Sequence, residues 1–335
     1  MVLVTGATGL VGTHLVAELI KRGIRVRATR RAGSDTGRVY QLLEHYSVSM
    51  EQYSELLDWV ELDLLNPVDA YGAISGTEVV YHTAAMISFD PRDRKEILKN
   101  NVQITGNIVN ACLDQNIKKL CYTSSTSALG SALMNEKATE GSPWIADESR
   151  TSYSLSKYRS EMEVWRGIAE GLNAVIVNPS IIVGPGDWIR GSSRMFKVVW
   201  DGLKYYTEGV TGYVDVRDVV NAMIWLAESE ISGERYIISS ENLSYREVFT
   251  LVAHELGRKP PEKLATPFLL GITYRIDWLR SILFRSKRIL TREAIMAGQQ
   301  KKYYSNKKIT DAMGIQFIPV ARSVKDTASV FLSFQ

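Results

Sequence analysis

Cysteine and histidine are scarce here, with two of the first and four of the second in 335 residues. Cys112 and Cys121 provide neither a disulfide framework nor metal-ligand spacing, and His14, His45, His82 and His254 are scattered, so no metal site is expected. An excess of one charge is also missing: 40 Lys and Arg stand against 37 Asp and Glu, a net +3, which argues against a nucleic-acid partner. The uncharged stretch from Asn173 to Gly186 is short for a membrane span and contains Pro179 and Pro185. No signal peptide fits the first residues, and there are no repeats or low-complexity segments. These absences lead to the expectation of a soluble, cytoplasmic protein in a reducing compartment.

What is present begins at the first residue. Met1 to Val4 is an apolar run of strand length. Val11 to Ile20 has apolar residues at helical spacing (Val11, Leu15 and Leu19, with Val16 and Ile20 beside them). Between the two stand Gly6, Gly9 and Gly12. A glycine turn from strand into helix permits positive φ, lets a phosphate approach bare N–H groups and packs helix against strand. A nucleotide pyrophosphate is therefore expected at this turn. Further strands are expected at "IRVRAT", "WVELDL", "EVVYHTAA", "KKLCYTSS" and "NAVIVNPS", with helices at "PVDAYGAI", Lys95 to Gln115 and Ser152 to Glu170. This alternation predicts an α/β fold with a doubly wound parallel sheet, whose ligands bind at the carboxyl ends of the strands. Residues 1–180 are read as a dinucleotide-binding domain and 181–335 as a smaller C-terminal substrate domain, with segment 211–240 returning to the first sheet.

The chemistry gathers at two of those strand and helix ends. "YSLSK" puts Tyr153 and Lys157 one turn apart on one helix face. A tyrosine is a poor acid or base at neutral pH, and a neighbouring ammonium is expected to lower its pKa. "CYTSSTSALG" puts Ser124, Ser125 and Thr126 at the end of the preceding strand, where a hydroxyl could hold a substrate oxygen.

Together with these, "TGATGLVG", Asp63 in "ELDLLN", "HTAA", "NVQIT" and "NPSIIVGPG" resemble, in order and spacing, the extended short-chain dehydrogenase/reductase family, which includes NAD-dependent epimerases and dehydratases. "GYVDVRDVV" and "SYREVFTLVAHELGRKP" carry the similarity into the second half. The resemblance implies a Rossmann fold with Tyr153 as general acid/base and Lys157 supporting it and the nicotinamide ribose. Counting back from Gly130 selects Ser125 as the family's serine. Gly6, Thr8, Gly9, Leu10, Val11 and Gly12 would receive the pyrophosphate, and Asp63 and Leu64 the adenine. Thr83, Ala84 and Ala85 would pass beneath the adenosine ribose and pyrophosphate. Asn101, Pro179, Ser180 and Ile182 would complete the cofactor contacts. His82 is expected to be a satisfied strand-end histidine, its ring turned away from the cofactor.

The second strand ends "RVRATRRAGSD", with no acid before Asp35 to accept from a ribose hydroxyl. Arg30 and Arg31 suit a 2′-phosphate, so NADP(H) is the preferred cofactor, with NAD(H) possible. Pro179 matches the branch similar to dihydroflavonol reductases and steroid dehydrogenases, whereas Asn178 and Ile181 depart from the sugar-nucleotide pattern. Met86, Phe89, Thr126 and Trp188 are candidate substrate contacts. The expected activity is reduction of a ketone or aldehyde to an alcohol. Two alternatives stay open: a sugar-nucleotide epimerase or dehydratase, and a non-catalytic NADP(H) sensor.

"GITYRIDWLRSILFRSKR" reads as a lid helix over the substrate pocket, carrying Ile276, Leu279 and Leu283 with a solvated basic face (Arg275, Arg280, Arg285, Lys287, Arg288). An interfacial membrane helix is its rival. The basic and aromatic "KKYYSNKK" reads as surface. The helices at 95–115 and 152–170 carry more apolar residues than one sheet contact needs, and the resemblance implies that they pair with their copies in a homodimer.

Overall fold

The described residues of the computed structural model are 1–87, 90–130, 136–145, 151–283 and 291–335. The expected alternation runs through the first half. It gives β1 (Val2–Thr5), α1 (Leu10–Lys21), β2 (Val26–Arg30), α2 (Gly37–His45), α3 (Met50–Leu56), β3 (Leu57–Glu61), α4 (Pro67–Ile74) and β4 (Val79–His82). Then follow α5 (Arg94–Asp114), β5 (Lys119–Thr123), α6 (Ser152–Ala169), β6 (Ala174–Pro179) and β7 (Ile181–Val183). The rest comprises α7 (Arg194–Trp200), β8 (Tyr205–Tyr206), β9 (Val210–Asp215), α8 (Val216–Glu228), β10 (Glu234–Ile238), β11 (Glu241–Ser244) and α9 (Tyr245–Glu255). Last come β12 (Lys263–Leu264), α10 (Pro267–Leu283), α11 (Arg292–Gln299), α12 (Lys307–Met313) and α13 (Val320–Ser333).

Local signals explain several boundaries. α4 starts at Pro67, which lacks the N–H that a first helical turn leaves unpaired, and the Asn66 side chain accepts from Val68 N–H. α6 starts where the Thr151 side chain accepts from Ser154 N–H at 3.0 Å. α12 ends on Gly314 at φ +67°, a left-handed cap that favours glycine.

Seven strands form one sheet in the order β10-β6-β5-β4-β1-β2-β3, every neighbouring pair parallel. The order reverses between β1 and β4, which opens a crevice at their carboxyl ends. One face is covered by α1 and α8 through Leu15, Val16, Leu19, Val219 and Met223. The other is covered by α4, α5 and α6 through Ile74, Ile108, Val109 and Val164. β9 pairs with β7 and β11 in a separate three-stranded sheet, while β10, after α8, returns to the edge of the large one. A smaller core of Phe196, Val248, Val252, Val324 and Phe331 fills the space between α7, α9 and α13.

In α10, Phe268, Ile276, Leu279, Ile282 and Leu283 are exposed, and the buried positions are Leu270, Asp277 and Ser281. Asp277 accepts from the Arg280 guanidinium at 2.8 Å, and Ser281 Oγ donates to the Trp278 carbonyl. Arg285, Lys287 and Arg288 lie outside the described residues, as does Phe89. Among the described residues no helix is long and apolar enough to cross a membrane, and no cluster of potential metal ligands occurs.

Candidate active site

The glycine turn lies at the switch point. Gly6 has φ +67°, and a Cβ there would stand 2.7 Å from the backbone N and Cα of Ala84. A Cβ on Gly12 would stand 2.3 Å from the Gly6 carbonyl oxygen. The turn is thus pressed against both α1 and the segment leaving β4, and only glycine fits at those two places. Thr83 Oγ1 closes the seam by donating to the Thr5 carbonyl at 2.6 Å. No side chain caps the N-terminus of α1 at Gly9, which leaves its first amides without a side-chain acceptor there. Thr8 and Leu10 are partly accessible there, and Val11 is buried behind them.

Asp63 follows β3 and accepts from Leu65 N–H at 3.0 Å, while Leu64 is buried beside it. Arg30 ends β2, with Nη2 3.3 Å from Glu61 and Nε buried without a hydrogen-bond partner. An orphaned guanidinium N–H at this place is a donor waiting for an acceptor, which suits a phosphate. Arg31 is exposed next to it. Across the crevice, Arg38 at the start of α2 pairs at 2.9 Å with Asp187, in the loop after β7.

The serine, tyrosine and lysine singled out in the sequence sit at the end of β5 and in the first turns of α6. The three hydroxyls there differ in contacts and burial. Ser124 is buried and donates to Glu161 at 2.6 Å, and Thr126 is buried in the turn that follows. Ser125 stays partly accessible, accepts from Ser127 N–H and is hydrogen-bonded to Tyr153. Lys157 lies behind, fully enclosed, with Nζ donating to the Thr123 carbonyl at 2.9 Å. Its pKa is pushed down to about 8 by burial, against the raising effect of Glu161.

Burial pushes Tyr153 up to about 12, against the lowering expected from a neighbouring ammonium, and the hydrogen bond with Ser125 only partly opposes that rise. The resting group is a neutral phenol.

Asn101 and Trp188 are both engaged within the protein, and His82 stands as expected. The Asn101 amide is taken up inside the protein: Oδ1 accepts from Met86 N–H at 2.7 Å, and Nδ2 donates to the Met86 carbonyl and to Ser156. It braces the segment after β4 rather than facing the crevice. Trp188 packs edge-on against Phe196 and Phe331, in the smaller core. Pro179 and Ser180 are buried at the end of β6, Ser180 N–H donates to the Ile238 carbonyl, and Ile182 is half-buried on β7. His82 is enclosed between Thr5 and Thr105, and burial lowers its pKa to about 3, so its ring is neutral and inward-facing.

Sequence reasoning missed Glu293 on α11. Its carboxylate accepts from the backbone N–H and hydroxyl of Ser152, which places a negative charge on the first turn of the helix that carries Tyr153. Nothing local in the sequence pairs residues so far apart.

Fold and site together define an α/β protein that binds a nicotinamide dinucleotide, with a serine–tyrosine–lysine arrangement beside it. The family model described as the NAD dependent epimerase/dehydratase family matches residues 2–239, and the chain belongs to that family. It is 31% identical over 290 residues to the sterol demethylase protein B of Methylococcus capsulatus, covering 84% of this chain and 83% of that one. It is 26% identical over 344 residues to cinnamoyl-CoA reductase 1 of Petunia hybrida, covering 98% and 90%. The solved structure of gox2253 superposes with a TM-score of 0.81 at 29% identity, over 100% of this chain and 98% of that one.

Proposed function

We propose that the protein is an NADP(H)-dependent reductase that converts a ketone or aldehyde into an alcohol. The carrying observation is the accessible Ser125 hydroxyl hydrogen-bonded to a neutral Tyr153, with the Lys157 ammonium buried behind. When bound, the reduced nicotinamide supplies hydride to the carbonyl carbon. Ser125 and Tyr153 hold the carbonyl oxygen, and Tyr153 gives up its phenolic proton to the developing alkoxide. Lys157 offsets the negative charge left on the phenolate, and it also holds the nicotinamide ribose. Gly6 to Gly12 and the open end of α1 hold the pyrophosphate, and Arg30 and Arg31 hold the 2′-phosphate.

The likeness to a protein named a cinnamoyl-CoA reductase supports the same reading. Cys112 and Cys121 are buried and unbridged, which fits the reducing cytoplasm. Met162 is exposed on α6 and Val102 half-buried on α5, a surface suited to a two-fold homodimer.

The rival, epimerisation or dehydration of a nucleotide sugar, would use the same cofactor without consuming it. The residues after Ser125 are Thr126, Ser127 and Ala128, which offer no acidic pair for a dehydration. A panel of aryl and alicyclic ketones and aldehydes, followed by NADPH absorbance, tests the proposal. Steady NADPH loss with at least one of them is expected. No loss with any of them, together with turnover of a nucleotide sugar at constant NAD(P)H, would sink it.

A further inference from the structure

Glu161 is fully buried, one turn beyond Lys157 on α6. A carboxylate without solvent is costly unless donors surround it, and four do. Oε1 accepts from Arg235 Nη1 at 2.8 Å and from Trp165 Nε1 at 3.3 Å. Oε2 accepts from Ser124 Oγ at 2.6 Å and from Asn178 Nδ2 at 2.9 Å. The two arms point to different places. Arg235 belongs to edge strand β10, and that arm alone would tie α6 to the sheet. The second arm reaches the end of β5 by two routes: Ser124 immediately precedes Ser125, and Asn178 Nδ2 also donates to the Ser125 carbonyl at 3.1 Å.

We propose that Glu161 is a positioning residue, which acts through Ser124 and Asn178 to set where the Ser125 hydroxyl stands relative to Tyr153. The inference rests on the reading of Ser125 and Tyr153 as the pair that holds the substrate oxygen. The Asn178 amide orientation follows from the same contacts, because its NH2 meets two acceptors, Glu161 and the Ser125 carbonyl. Its Oδ1 is left buried without a donor. An anionic acceptor is what makes that orientation worth holding. Removing the charge frees Asn178 to turn over, and with it the clamp on Ser125.

The test uses the full chain with 13C at the tyrosine Cζ, the Tyr153 signal being assigned by its loss in Tyr153→Phe. In Ser125→Ala that signal shifts because its hydrogen-bond partner is gone. Glu161→Gln and Asn178→Ala are both expected to move it in the same direction. Each is also expected to lower kcat/KM for a reduced carbonyl compound about 10- to 100-fold, the range for a misplaced catalytic contact. A signal unmoved in both variants, with only the melting temperature lowered, would reduce Glu161 to a structural tie and overturn the proposal. If Glu161→Gln does not fold, Asn178→Ala decides alone, since it leaves the Glu161–Arg235 pair in place. Failure of the unmodified protein to reduce any carbonyl compound would count against the reductase reading instead, while the tyrosine signal would still judge Glu161.

Discussion

Tyr153 and Lys157 are both shifted away from their charged forms, and for a reduction the two shifts have opposite consequences. A phenol held near 12 is protonated at neutral pH and ready to give its proton. An ammonium lowered to about 8 is charged below that pH and lost above it. The rate of carbonyl reduction, as kcat/KM, is therefore expected to fall as pH rises through about 8, since that ratio reports groups of the free enzyme. A profile flat to pH 10 would contradict this. Tyr153→Phe should lower turnover by 10²-fold or more while the cofactor still binds, whereas Lys157→Ala should damage both. Retention of about a tenth of the activity by the phenylalanine variant would show the role to be misassigned. The proposed cofactor choice turns on Arg30, whose Nε is buried without a partner although Nη2 lies near Glu61. NADPH should bind more tightly than NADH, and alanine at both Arg30 and Arg31 should erase most of the difference in a calorimetric titration. Equal or tighter NADH binding in the unmodified protein would contradict it.

At the scale of elements, two glycines set how closely helices approach. Gly12 lets α1 close onto the turn, and Gly167 brings α6 onto α5, where an added Cβ would stand 2.6 Å from Val109 Cγ1. Both sites are overpacked by a single methyl, at a cost of about 1–3 kcal/mol each. The two substitutions should nevertheless differ in what they damage. Gly12→Ala is expected to lower dinucleotide affinity as well as the melting temperature, because its clash is with the Gly6 carbonyl in the turn itself. Gly167→Ala is expected to lower the melting temperature and leave dinucleotide affinity unchanged, which a fluorescence titration alongside thermal unfolding would check. The helix that carries Tyr153 has a double start, with Thr151 capping Ser154 N–H and Glu293 bound at Ser152.

At the scale of the whole molecule, α5 and α6 cover one face of the large sheet and their outer sides carry the proposed dimer contact. Part of that surface is already covered: Trp144 stacks on Tyr158 at 4.1 Å, nearly parallel. Met162 remains exposed between them and the far end of α6. Light scattering should give twice the 37.6 kDa chain mass, and Met162→Asp with Val102→Asp should halve it. A monomer in the unmodified protein at micromolar concentration would overturn the assembly.

Much of this was legible in the sequence because it is local. α4 runs from Pro67 to Ile74 as its proline start and apolar spacing predict, and α5 differs from its expected range by one residue at each end. The glycine turn declares itself because φ and close approach are properties of the residues that stand there. The parallel sheet follows from alternation, since buried parallel strands need helices on both faces. What only the tertiary structure decided are properties of partners distant in the chain. Counting back from Gly130 already selects Ser125, but that the Ser124 hydroxyl is taken up by Glu161, thirty-seven positions away, is visible only in the fold. The rise of the Tyr153 pKa above its ordinary value depends on burial by the surrounding fold, which a four-residue spacing does not encode. The exposure of the apolar residues of α10 is a property of the packed chain, since its periodicity reads the same in either orientation. Helical spacing determines that a face exists, and packing against the rest of the chain determines where that face points.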